Sequence, residues 1–295
     1  MKTSKSLIWL CVLVGLLALA AAAAGLIWKD SGSRFTFTTL HGQEVQMYGE
    51  GLYRNDTIFT AGTFIGTDAV TILACIPFLI AALLLYRRGS LRGGYLLIGV
   101  LSFFLYNGAS LAFGAAYNSF FLVYIALFAA SLFAFILAFT CIDYVALPSR
   151  ISAGMPHRGL SAFFLVTGVV LLFIWLSDVV IALVEGHAPL LLASYTTMVT
   201  YVLDIGVIVP ALLVAQHLIR RRSPFGYPLA STLLILCTII GVVVTAQTIV
   251  QISLGIVLPP AQFAVMVGSL ILMSLFAIWL LGLLLRNTTD RPALS

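Results

Sequence analysis

Two acids, Asp178 and Asp204, stand inside long apolar runs and a third, Asp68, at the mouth of another, in a chain that carries only ten acidic residues in 295. A carboxylate held in hydrocarbon costs roughly 2.5–3.5 kcal/mol on insertion scales, so such residues face a bundle interior or a wet cavity and mark a pathway, a relay or a ligand site. The chemistry they offer is reversible capture of a proton or a cation. Asp204 has the richest surroundings: Thr200 and Tyr201 precede it by four and three residues, and on a helix all three share one face. An apolar run from Ile205 to Ala215 follows, interrupted by Pro210, and Arg220, Arg221 and Arg222 close the segment. Asn107, Gln247 and Gln251 add amides inside other apolar runs, and the two glutamines, four apart, share a face. These eight side chains (Asp204, Asp178, Asp68, Tyr201, Thr200, Asn107, Gln247 and Gln251) form the candidate ligand-binding set.

What must position them is a membrane bundle. The chain is 62% hydrophobic and 8% charged, far from the roughly one-quarter charged content of soluble domains. Runs of about 20 apolar residues match a hydrocarbon core about 30 Å thick. Eight spans are expected, at about 7–28, 67–86, 93–116, 119–142, 159–184, 194–218, 228–254 and 261–285, making an all-α transmembrane fold in one polytopic domain. The first follows a basic start (Lys2, Lys5) and ends in small residues. It is longer than the core of a secretory signal, so it reads as an uncleaved anchor, with a cleaved signal as the alternative. Residues 29–66 form the one sizeable soluble segment. Alternation in 35–40 and 43–48 around His41-Gly42 predicts an external β-hairpin there.

Eight spans put both termini on one side. That side holds Lys2, Lys5, Arg87, Arg88, Arg92, Arg150, Arg158, Arg220, Arg221, Arg222, Arg286 and Arg291, leaving only Lys29, Arg34 and Arg54 of the fifteen basic residues on the other. By the positive-inside rule both termini are cytoplasmic, as in a plasma or bacterial inner membrane. The formal net charge of +5 therefore reflects orientation, and nucleic acid is excluded as a partner. With the threading fixed, most polar residues, including Gln262 at the start of the last span, fall in the outer half, which predicts a polar cavity open to the outside. The alternative for the amides is pairing between helices.

Pro210 removes one backbone hydrogen bond and crowds the carbonyl of Gly206, so the sixth span should bend just past Asp204. Pro77 has the same place in the second span, and Pro259-Pro260 opens the last helix. Arg87-Arg88 follow Pro77 by ten residues as Arg220-Arg221 follow Pro210, and Ser131 to Ala134 is matched by Ser274 to Ala277. This spacing suggests a parallel repeat of 1–142 and 159–286. Aromatics crowded between Phe103 and Phe139 read as lipid-facing and packing residues.

Several chemistries find no support. There is no HExxH, GxSxG, P-loop or CxxC. His41, His157, His187 and His217 make no close pair, and Cys11, Cys75, Cys141 and Cys237 lie in or beside apolar runs as packing thiols. No metal, cofactor or catalytic residue is expected. The runs Gly51-Leu52-Tyr53-Arg54-Asn55-Asp56-Thr57, Gly66 to Thr71 and Arg87 to Gly93, with the later Asp204 to Pro210 helix and Arg221 to Tyr227, resemble a pattern in uncharacterised polytopic membrane proteins of bacteria. That resemblance implies no activity. The expected function is binding or transport of a small polar or cationic solute. A non-catalytic assembly or sensor subunit that contacts a protein partner through the external loop is the alternative, and an intramembrane enzyme comes third.

Overall fold

Lys5 starts the first helix directly after Ser4, whose hydroxyl accepts from the Leu7 amide as an N-cap. This helix, α1 (Lys5–Ile27), leads into a two-stranded antiparallel hairpin of β1 (Phe35–Thr38) and β2 (Glu44–Met47), with Phe35 opposite Met47 and Thr38 opposite Glu44. Among the described residues seven more long helices follow: α2 (Ile58–Arg87), α3 (Leu91–Gly114), α4 (Phe121–Thr140), α5 (His157–Glu185), α6 (Val199–Arg220), α7 (Gly226–Ser253) and α8 (Ser269–Arg286). The computed structural model describes residues 2–257 and 263–290. Gln262 and Pro259-Pro260 lie outside the described residues. All eight helices are long and apolar enough to cross a bilayer, and large side chains such as Leu73, Leu122 and Phe173 stand exposed on their outer faces. The protein is a multi-pass helical membrane protein.

Lys2 and Asp290, the first and last described residues, lie on one face, hereafter the terminal face. There Lys2 N–H donates to the Cys141 carbonyl and Asp290 caps α3 through the amides of Leu91 and Arg92. The β-hairpin lies on the opposite face. The core runs along α3 and α7, which pack against each other; α4 and α2 flank α3, and α8 and α2 flank α7. The pair α5 and α6 pack on each other and join the rest mainly where α6 meets α7.

The largest departure from the expected spans is at α2, which begins at Ile58 where the sequence suggests 67. Threonines and glycines between Thr60 and Gly66 look like loop but serve a helix seam. Gly62 and Gly66 stand one turn apart and let α7 approach so closely that a methyl on Gly66 would lie 2.5 Å from the Gln247 Cα. Small residues at this spacing are the common means of close helix approach in membranes. The external segment is correspondingly shorter, and Asp68, expected at the mouth of its span, lies about three turns inside. At the other end of the chain α6 begins at Val199 rather than 194, so residues 193–198 are not helical.

Pro77 and Pro210 are each preceded by one widened, π-helical turn, Thr71–Cys75 and Asp204–Ile208. The i→i+5 bonds Ile76 N–H to Thr71 carbonyl and Val209 N–H to Asp204 carbonyl show the widening. A proline cannot supply the next bond of the ladder, and a π-turn is a way to absorb that loss. The two turns stand 133 residues apart, and other local geometry recurs at the same offset. Gly89 and Arg222 both have positive φ (75° and 53°). Ser90 N–H donates to Leu85 as Ser223 N–H does to Leu218. Gly93 is pressed on Leu85 as Gly226 is on Leu218.

Candidate functional site

Helices α2, α3, α5, α6 and α7 surround a cavity of about 340 Å³ that runs from the hairpin side past mid-depth to Leu212 and Leu233, with Val267, Leu270 and Met273 at one flank. Helical periodicity selects its walls. On α3 the cavity face is Phe103, Tyr106, Asn107, Ser110 and Gly114; on α5 it is Thr167, Leu171 and Trp175; on α6 it runs from Thr200, Tyr201 and Asp204 to Ile208 and Leu212. These sets follow the i, i+3, i+4 spacing of a single helix face. The non-helical stretch before α6 adds Leu191, Tyr195, Thr197 and Met198.

Asp204 is the anchor of the wall. It is 8% exposed, and its two oxygens accept from different helices: Oδ1 from the Tyr106 hydroxyl of α3 at 2.9 Å and Oδ2 from Trp175 Nε1 of α5 at 2.7 Å. The same residue begins the widened turn of α6, so its backbone leaves the regular ladder where its side chain enters the cavity. Trp175 also lies against Tyr201, ring centroids 4.5 Å apart. Among the described residues the only ion pairs are Arg54 with Asp30 and His187 with Glu185. No basic side chain among the described residues answers Asp204.

Six of the eight candidate residues share this cavity: Asp204, Thr200, Tyr201, Asn107, Gln247 and Gln251. The other two do not line it. Asp178, half-buried on α5, accepts from the Tyr201 hydroxyl at 2.8 Å. Asp68 is sealed in a separate contact, 2% exposed, with the Tyr53 hydroxyl donating at 2.7 Å and Gly25 of α1 laid against the pair. The expectation of a polar cavity is corrected: the wall is largely apolar and aromatic. The reason lies partly in the glutamines, whose amides are spent on the seam with α2. Gln247 Nε2 donates to Thr67 Oγ1, and Gln251 Nε2 donates to Thr63 Oγ1 and the Phe59 carbonyl.

A few polar groups are left over. Most buried hydroxyls on these helices bond back to the carbonyl four residues earlier, as Thr67, Thr232, Thr245 and Thr248 do. Ser110 Oγ and Thr167 Oγ1 in the cavity wall have no partner. Asn107, 5% exposed, also has no hydrogen bond among the described residues. Nearly all buried polar groups in folded proteins are paired; of the seven buried unpaired side-chain atoms among the described residues, two border this cavity, next to the amide of Asn107.

Above the cavity lies a group that reading the sequence missed. Asp56, fully buried on the hairpin face, accepts from the Ala116 amide and the Tyr195 hydroxyl, both at 2.8 Å, while its Oδ2 has no partner. It thereby joins the segment before α2 to the α3–α4 turn and to the cavity-lining stretch before α6. Burial pushes its carboxyl up to about 7, against the opposing pull of the two donors. Nearby Asp30 is held below the usual carboxylate range by the amides of Gly51 and Gly32. Tyr106 and Trp175 were likewise missed as site residues. The available signals were Tyr106 beside Asn107 on one face and Trp175 three residues from Asp178, neither of which identifies Asp204 as the partner.

Comparison with protein-family models, with curated proteins and with solved structures finds no match to this chain.

Proposed function

We propose that this protein binds a small solute in the Asp204 cavity from the non-cytoplasmic side of a plasma or bacterial inner membrane, as a carrier or a receptor. The observation that carries the reading is an acid set in a cavity wall, held by a tyrosine and a tryptophan from two other helices and matched by no basic side chain among the described residues. An acid in that setting is costly unless the site uses it. Orientation is read from charge: of the fourteen basic residues among the described ones, eleven belong to the terminal side, which the positive-inside rule makes the cytoplasmic one, so the solute enters from the hairpin side. A ligand-stabilisation screen on the purified protein, repeated with Asp204→Asn, tests the proposal. The reading predicts solutes that raise the unfolding temperature of the wild type and lose that effect in the variant. A screen in which every stabilising solute acts equally on both proteins counts against it.

A second reading has its own observation. The hairpin exposes Phe35, Phe37 and Leu40 to solvent, the last completely, and such a patch suits contact with a protein partner in an assembly or sensor complex. Replacing the three by serine while leaving the bundle untouched should release a co-purifying partner if this role is the main one.

A further inference from the structure

We infer that the cavity solute is an organic cation of modest size, with an ammonium or similar group at Asp204, an apolar body, and at least one hydrogen-bonding group. The inference rests on the cavity reading above and gives it a ligand class.

Three independent features lead there. The first is charge. Asp204 has its oxygens fixed by neutral donors only, and in a low-dielectric wall an ionised carboxylate gains most from a counter-charge that arrives with the ligand. Tyr106 and Trp175 bond to it, Tyr201 lies against the Trp175 ring, and all three line the cavity; aromatic faces attract a desolvated cation. An inorganic ion fits less well. Hard cations demand six or more oxygen ligands, whereas here an O–H and an N–H already point at the carboxylate. Among the described residues no group of three His, Cys, Asp or Glu is placed to hold a metal.

The second feature is the set of unpaired polar groups. Among the described residues the Asn107 amide makes no hydrogen bond, and the buried hydroxyls of Ser110 and Thr167 are unpaired, in a wall otherwise made of Phe103, Leu171 and their like. A ligand that carried only charge would leave them unpaired, and one that carried only apolar groups would bury them dry. The third is a comparison within the chain. At the constant offset of 133, Asp204 corresponds to Thr71 and Tyr106 to Ile239. The widened turn and its proline are present in both places, but the residue that begins the turn is an acid in one and a threonine in the other, and the acid beside the first turn, Asp68, is sealed against Tyr53 away from the cavity. The backbone device is therefore general to the fold, and the charge is specific to this cavity.

The test is calorimetric titration of the full-length protein with five probes: 2-phenylethylammonium, its ring-hydroxylated form 2-(4-hydroxyphenyl)ethylammonium, the neutral isostere 2-phenylethanol, the anion phenylacetate, which should bind no better than the alcohol, and sodium or potassium chloride alone. The ammonium should bind about ten- to a hundredfold more tightly than the alcohol, the range expected of a charge-assisted hydrogen bond. Asp204→Asn should erase that preference while leaving the alcohol's affinity nearly unchanged, and Asn107→Leu should weaken ring-hydroxylated amines more than the parent amine. An alcohol that binds wild type as tightly as the ammonium overturns the cation class but leaves the cavity reading standing. So does a heat signal from the salts alone. Absence of binding by every probe, with the cavity holding only water, overturns both. The wild-type comparison decides the matter even if the Asp204 variant fails to fold.

Discussion

Asp56 offers the sharpest physical test, because it lies outside the spans, buried at the junction of three hairpin-face segments. Its carboxyl is raised from 3.8 to about 7, a rise of about 3, and each pH unit corresponds to about 1.4 kcal/mol. Below pH 3.8 the folded and unfolded chains both hold the proton, and Asp56 contributes no pH dependence. Between 3.8 and 7 the folded chain alone retains it, so stability falls as pH rises. Above 7 both states have released it, and the folded state carries the full cost of a buried, half-satisfied carboxylate, about 4 kcal/mol. Asp56→Asn keeps an acceptor for the Ala116 amide and the Tyr195 hydroxyl but cannot ionise. The measurement is the unfolding midpoint of both proteins in the same detergent from pH 4.5 to pH 8.5, read as the difference between them so that other titrations cancel. The wild type should lose ground to the variant steadily across that interval and level off above neutrality. Parallel curves, or a wild type that gains on the variant as pH rises, would refute the assignment of Asp56 as a carboxyl protonated by burial.

Other perturbations probe the bundle. Gly66→Ala should lower stability by about 1–3 kcal/mol through overpacking, since its methyl meets Gln247 backbone at 2.5 Å, whereas Gly114→Ala, facing the Val199 side chain at 3.4 Å, should be tolerated; paired thermal melts compare them. Tyr53→Phe removes the donor to buried Asp68 and should cost about 1–3 kcal/mol, with much of the loss restored by adding Asp68→Asn. Asp290→Ala strips the cap from the first turn of α3, at a cost of about 1 kcal/mol, visible as faster hydrogen exchange at the Leu91 and Arg92 amides.

Composition and the spacing of apolar runs determined that the chain is a multi-pass helical bundle with a short hairpin after the first span, because hydrocarbon admits few backbone arrangements and each span must satisfy its own hydrogen bonds. The same logic made Asp204 conspicuous, since a lone acid in an apolar run has few inexpensive explanations. Its partners were another matter. Tyr106 and Trp175 lie 98 and 29 residues away from it in the chain, and nothing local to either helix specifies that the three meet. Gln247 and Gln251 read equally well as cavity lining or as seam; contact with Thr63 and Thr67 made them both. Asp56 looked like an ordinary loop acid until three segments closed over it. Periodicity tells which face of each helix turns inward, but which inward faces oppose one another depends on packing among eight helices, and there the tertiary structure decides.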